Sequence, residues 1–272
     1  MGIGDNLIAS GLAKGSRAKG KRAAFGDGQK IIWDHHSEII FRGNPNIARP
    51  GDEAARDLDW IPFYRGNRLY NRQVGDRWEW NYDFRCTAGE AYLTEGERTF
   101  GQAQGEGYIV IEPNLPSYKP SSPNKRWPVE RYAAVASALR SAGHDVVQLS
   151  YGGGHVLDAR QIKTASFRQA MAVLERAALY IGPEGGLHHA AAAVGIHAVV
   201  LFGGFVPPEV TGYATHTNLT GGARACGSLK TCQHCIEAMN AIGVSDVMSA
   251  AERIRRDRRH SGMITLESRG IE

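Results

Sequence analysis

No stretch of about 18 consecutive apolar residues occurs in the sequence, so no segment is expected to cross a membrane as a helix. Cysteine is scarce, with 4 residues in 272, which excludes a small scaffold held together by disulfides. Charge of one sign is not in large excess. The net charge of +4 is too weak to name nucleic acid as a partner, and it remains compatible with an anionic ligand. Internal repeats and low-complexity tracts are absent, which excludes a solenoid or an extended linker. The opening residues, MGIGDNLIAS, lack the charged-then-apolar pattern of a secretory leader, and the expectation is a cytoplasmic chain.

What is present is a globular composition, 42% hydrophobic and 22% charged. Between residues 106 and 260 apolar runs alternate with helical spacing. Strands are predicted over 108–112, 145–149, 179–181 and 198–202. Helices are predicted from Pro128 to Gly143, over 167–177, over 185–194 and over 245–256. Runs such as Ala198-Val-Val-Leu-Phe show no polar alternation and fit strands buried on both faces. This pattern implies right-handed crossovers and a doubly wound parallel sheet. The first hundred residues are less regular. They offer a helix over 7–19, a strand over 21–25, and a strictly alternating stretch from Trp78 to Arg85 that reads as a half-buried strand. The aromatics of that stretch could stack on a sugar or base, or serve as core. A polar, glycine-rich boundary is expected over 99–107, dividing the chain into domains 1–105 and 106–272.

The chemistry concentrates at YIGPEGGLHHAAAAVGI, residues 180–196. A strand ending near Ile181, a Gly-Pro turn and a helix opening near Glu184 place unpaired N–H groups at the carboxyl edge of the sheet. That geometry favours a phosphate. Gly182, Gly185 and Gly186 carry no Cβ to hold a ligand away. A tight strand–helix turn without any ligand is the other reading. In the loop after the second strand, Gly152, Gly153 and Gly154 could make a further phosphate cradle or simply a flexible turn.

Four stretches in order, GIGDNLIASGLAKG, NKRWPVERYAAVASALRSAGHDVV, GPEGGLHHAAAAVGIHAVVLFGG and CQHCIEAMNAIGVSDVMSAAERI, resemble glycosyltransferase family 9, the ADP-heptose:lipopolysaccharide heptosyltransferase family. The resemblance implies a GT-B-like α/β fold of two Rossmann-like domains, with the N-terminal one reduced. It implies an inverting, metal-independent glycosyltransferase that uses a nucleotide-diphosphate sugar as co-substrate. Asp5 matches the acid of the Gly-Asp motif and is the candidate general base, while helix capping is its other role. Lys125 matches the Lys before Trp-Pro, where the resemblance implies that it meets the donor phosphates; an exposed loop lysine is its other reading. His189 matches the motif histidine, and His188 is expected to pack or to lie on the surface. Glu184 stands at the family's Asp position and Gly185 at its Thr position. Both departures bear on which sugar or nucleotide fits. The resemblance expects a strand before Gly-Asp, which this N-terminal domain is expected to lack or to form differently, an expectation that argues against ordinary heptose transfer to the lipid A core. The acceptor, whether glycan, lipid-linked glycan or nucleic acid, is not carried over.

Cys226, Cys232 and Cys235 have the spacing of a candidate structural zinc site, with His216 or Cys86 as a fourth ligand; free thiols or an occasional disulfide are the alternative. Three rival functions stand beside the transferase. They are an epimerase of the same fold type, a non-catalytic nucleotide- or glycan-binding protein, and a glycosyltransferase acting on modified nucleic-acid bases through the basic clusters at 14–22 and 253–259.

Overall fold

The computed structural model describes residues 1–115, 119–150 and 153–267, with side chains described as far as 256. Gly152 therefore lies outside the described residues. The second half is organised around one six-stranded sheet. Its strands are β5 (Ile109–Ile111), β6 (Val146–Ser150), β7 (Arg160–Lys163), β8 (Leu179–Pro183), β9 (Ala198–Leu201) and β10 (His216–Leu219). They lie in the order β10-β9-β8-β5-β6-β7, and every pairing is parallel. The chain thus builds outward from β5 to β7, returns to β5's other edge at β8, and builds outward again. This is the doubly wound α/β order, as expected, and its switch point lies between β5 and β8.

The strands sort their side chains by period two. Ile109, Ile111, Leu179, Ile181, Val199 and Leu201 enter one core with helices α4 (Val129–Ser141) and α9 (Val244–Glu267). Tyr108, Val110, Tyr180, Ala198 and Val200 enter the other, which receives α5 (Phe167–Arg176) and α6 (Gly186–Ala193). Helices thus cover both faces, which is why these strands read as unbroken apolar runs.

The second core continues into the first half of the chain. Helix α1 (Ile3–Ala18) and strand β1 (Arg22–Phe25) supply Leu7, Ile8, Ala9, Ala23 and Phe25 to the same cluster. Strand β1 pairs in parallel with β2 (Leu58–Ile61) and is bridged at Ala23 by Ile47. Helix α2 (His35–Phe41) and helix α3 (Glu95–Gln102) complete this layer. Arg168 on α5 reaches into it, 3% exposed. It binds the Glu97 carboxylate at 2.6 and 2.8 Å and donates to the carbonyls of Ile39 and Tyr92. The buried guanidinium and the half-buried carboxylate satisfy each other in two-pronged geometry, so the charge is tolerated there.

Some local expectations needed correction. The alternation from Trp78 stops being a strand after Trp80. Strands β3 (Asn71–Val74) and β4 (Arg77–Trp80) form a short antiparallel hairpin. Asn81 ends it, because its side chain accepts from Asp83 N–H and donates to Leu69 O, a turn that competes with the ladder. Residues 99–102, expected in a linker, are the last turn of α3, where Gly101 lets the helix cross within touching distance of Ala172 on α5. The final helix runs to Glu267, eleven residues beyond the expected end at 256. Helices α7 (Pro208–Thr211) and α8 (Gln233–Ala241) were not anticipated.

At the end of β5, Glu112 is buried within electrostatic range of Tyr132 and Tyr180, and burial pushes its carboxyl up to about 7, opposed by the Asn114 N–H that it accepts. A carboxyl raised in the fold favours folding at low pH. Its contribution is complete below about 4.5 and is lost as pH rises through about 7. Glu112→Gln should therefore gain stability on the parent between pH 5 and 8, by up to about 3 kcal/mol. Urea denaturation at the two pH values measures this, and a difference that does not change with pH would contradict it.

Candidate active site

The site forms where β5 and β8 part, in the crevice a doubly wound sheet leaves at its switch point. Strand β8 ends at Pro183, Glu184 and Gly185 make the turn, and α6 begins at Gly186. The N–H groups of Gly186, Leu187 and His188 open the helix and have no partner inside it. Open space lies beside the Gly185 α-carbon, so a ligand has room to approach. The N–H of Gly185 itself is taken by His188, whose Nδ1 accepts it at 3.0 Å. With Nδ1 accepting, the His188 proton sits on Nε2, which donates to Thr211 O at 3.1 Å. His188 is completely buried and held well below the usual histidine range, first by burial and then by His189. It is a fixed, neutral brace for the turn. The offset of three residues from Gly185 is a capping-box spacing, and that was the available signal for it.

Glu184 is 6% exposed and forms an ion pair with Lys125. Burial works against ionisation of this carboxyl, but the Lys125 ammonium overrides it and holds the group below the usual range. Lys125 closes a 3-10 turn, Ser122–Lys125, just before α4, and its ammonium also lies 5.1 Å from the Phe205 ring centre. His189 Nε2 is 3.9 Å from the other Glu184 oxygen, and its Nδ1 meets the Tyr213 hydroxyl at 2.7 Å. Burial, with Lys125 adding to it, pushes His189 down to about 3, so it is neutral at physiological pH. Cys86 joins the same group through Tyr213, and burial raises its thiol to about 12.

The first helix brings the acid. Gly4 on α1 faces His189 so closely that a Cβ there would stand 2.8 Å from the ring, and Ile3 lies against Gly186. The next residue, Asp5, is therefore carried to the mouth of the sheet, within electrostatic range of Glu184 and Lys119. Asp5 Oδ2 accepts the Gly2 N–H at 2.7 Å, so it does cap the helix, in the third position. Its other oxygen accepts the Tyr70 hydroxyl, and Arg68 stands 3.7 Å away. Tyr70 is held protonated, far above its usual range, by burial first and by the Asp5 charge second. Arg68 is in turn seated 4.5 Å over the Trp78 ring, and Trp80 stacks on Tyr70 and meets Phe205 edge-on. Trp78 and Trp80 are thus packing that supports the acid, whereas Tyr82 of the same row is exposed. Arg68 and Tyr70 escaped sequence reading because the segment 61–72 has no periodic pattern.

Other expected residues fall elsewhere. Gly182 lies inside β8, where a Cβ would strike the Tyr180 hydroxyl, so packing requires it. Gly153 and Gly154 are left-handed at φ of 78° and 96°, and Gly154 packs on the Asn114 side chain. That side chain accepts His155 N–H and donates to His155 O, strapping this loop to the end of β5. His216 is buried with Nε2 on Ile196 O, and neither it nor Cys86 joins the Cys226, Cys232 and Cys235 cluster.

Compared with known protein families, residues 71–241 match the model of glycosyltransferase family 9 (heptosyltransferase), more than half of the 272 residues. The chain belongs to glycosyltransferase family 9. Among solved structures it is similar to Escherichia coli ADP-heptose LPS heptosyltransferase II, with 18% identity over 63% of this chain and 54% of that one, at a TM-score of 0.48. It is also similar to a family 9 glycosyltransferase from Veillonella parvula, with 21% identity, 62% and 54% coverage and a TM-score of 0.47. A third is the iron-containing dodecameric glycosyltransferase TibC from enterotoxigenic E. coli, with 17% identity, 63% and 49% coverage and a TM-score of 0.47. The chain spans about half the length of these structures. No curated protein matches it significantly. Among the described residues, no helix is long and apolar enough to cross a membrane.

Lys125 and Glu184 thus form a largely buried ion pair whose halves depend on each other. Lys125→Met should cost about 3–5 kcal/mol, because it leaves Glu184 as an uncompensated buried charge. The cost should shrink as pH falls and Glu184 takes up a proton. The double variant Lys125→Met/Glu184→Gln should recover most of it. A denaturant-based double-mutant cycle measures the coupling, and simple additivity would contradict the pairing.

Proposed function

We propose that this family 9 protein is an inverting glycosyltransferase that binds a nucleotide-diphosphate sugar at the mouth of β5 and β8, with no metal in the transfer step. The observation that carries the reading is the convergence of Asp5, Lys125, Glu184 and the open start of α6 at one switch point. The diphosphate would lie against the N–H groups of Gly186, Leu187 and His188, where both the free donors and the helix dipole favour negative charge. Lys125 would turn from Glu184 to the phosphates. Glu184, released from its partner, would then accept from a hydroxyl of the sugar or ribose.

Transfer then needs a base on one face of the anomeric carbon and charge stabilisation on the other. Asp5 takes the proton of the acceptor hydroxyl as its oxygen bonds to the anomeric carbon. The bond to the diphosphate breaks, and the departing charge falls on Lys125 and the N–H groups of α6. Tyr70 and Arg68 hold Asp5 in position during this step. Attack opposite the leaving group inverts the anomeric centre. His189, neutral and wedged between α1 and Tyr213, keeps α6 and Asp5 in register rather than moving a proton.

The acid longer than the Asp that the resemblance gives the family, and the Thr hydroxyl lacking at Gly185, support a donor that differs from that of other family 9 proteins in its sugar or nucleotide. A thermal-shift panel of ADP-, UDP-, GDP- and dTDP-sugars tests the reading. At least one donor should raise the melting temperature, and the Lys125→Met/Glu184→Gln variant should lose that response. Asp5→Asn should keep the shift while sugar transfer falls by about 10²–10⁴-fold. A flat panel at millimolar ligand would overturn the donor site, and undiminished transfer by Asp5→Asn would overturn the base.

A further inference from the structure

Away from this crevice, three thiols converge. Cys226 lies in the segment after β10, Cys232 sits at the N-cap of α8, and Cys235 lies in the first turn of that helix. The Cys226 sulfur is 3.1 Å from that of Cys235 and 3.8 Å from that of Cys232, and all three fall within 4.8 Å of one another. None is in a disulfide. Sulfurs arranged tetrahedrally at the usual zinc–sulfur length of about 2.3 Å stand roughly 3.8 Å apart, so the cluster has the dimensions of a thiolate cage.

The backbone around the sulfurs is arranged for the same purpose. Ser228 N–H points at Cys226 Sγ at 3.5 Å. Donors directed at sulfur stabilise a metal-bound thiolate and fix its orientation. His234 is turned away, with Nε2 on Arg224 O at 2.8 Å. Among the described residues no fourth histidine, cysteine or carboxylate joins the cluster, which leaves one coordination position to water or an added ligand.

We propose that Cys226, Cys232 and Cys235 bind one thiophilic divalent cation of the zinc type. The bound cation fixes the segment 226–232 against the two loops that serve the crevice. One of these is the β3–β4 hairpin. Trp78 N–H donates to Gly227 O and Leu229 N–H to Asp76 O, both at 2.9 Å, and Arg77 reaches Cys226 O at 3.1 Å. Gly227, at φ 65°, presses against Trp78 so closely that a Cβ would stand 2.2 Å from its carbonyl. The other loop carries Lys125. Its neighbour Asn124, fully buried, donates to Ser228 O and Lys230 O and accepts Cys232 N–H at 2.8 Å. A cation at the three sulfurs therefore steadies the supports of both Arg68–Tyr70 and Lys125, without touching substrate.

Cobalt(II) added to reduced, metal-free protein tests this independently of any transfer activity. The expected result is a thiolate-to-cobalt charge-transfer band that saturates at one equivalent, disappears on adding zinc, and accompanies a higher melting temperature. Cys226→Ser and Cys232→Ser should each weaken cobalt binding by more than the roughly 10–100-fold that loss of a supporting hydrogen bond costs, whereas Cys86→Ser should leave the band unchanged. Circular dichroism checks that the variants fold. Zinc released from the parent by a mercurial, counted against thiols titrated, gives a variant-free measure with about three thiols per metal expected. Absence of the band, an unchanged band in Cys226→Ser, or recovery of the cysteines as a disulfide would overturn the proposal.

Discussion

Everything at the site depends on how closely α1 lies against the start of α6. Gly4 meets His189 and Ile3 meets Gly186, with no room for a side chain larger than hydrogen at Gly4. The contact belongs to a continuous apolar cluster that joins α1, β1, α5 and α6, so the first helix is seated by burial as well as by shape. Its effect is chemical, because one residue further on is Asp5. A carboxylate from the beginning of the chain thereby arrives at the carboxyl edge of a sheet built some hundred residues later.

Once these groups are together, electrostatics sets their states. Two acids, Asp5 and Glu184, and three cations, Arg68, Lys119 and Lys125, act on one another across the crevice. The histidines at the same place do not share in this charge. His188 and His189 are both buried and neutral, and each spends a ring nitrogen on fixing backbone or hydroxyl. Ion pairing between Lys125 and Glu184 gives each charge a partner within the protein.

Much of this was legible in the sequence. The strands at β5, β6, β8 and β9 announced themselves as apolar runs, and Pro128 and Gly143 bracketed α4. The turn from Glu184 to Gly186 could be placed at a sheet edge because a strand pattern ends just before it and a run of alanines follows. Less legible were elements whose identity comes from contacts distant in sequence. Strand β7, with the exposures of a sheet edge, carries Arg160, Gln161 and Lys163 around a single buried Ile162 and has no strand-like run. The hairpin β3–β4 is four residues per strand and is held by the segment around Gly227, about 150 positions away. Arg68 and Tyr70 could not be nominated for the same reason, since only the fold sets them against Asp5. The division into domains 1–105 and 106–272 remains a sequence-based proposal, and both parts contribute to one core cluster.

The most direct measurement of the central constraint is amide hydrogen exchange in Gly4→Val. If the contact at Gly4 seats α1, the added side chain will displace it from His189. Amides of α1 and of the first turn of α6 will then exchange faster, while β5 and β8 keep the protection of the parent. Unchanged exchange throughout α1 would show that the helix is held by something else, and that Asp5 does not owe its place to this contact.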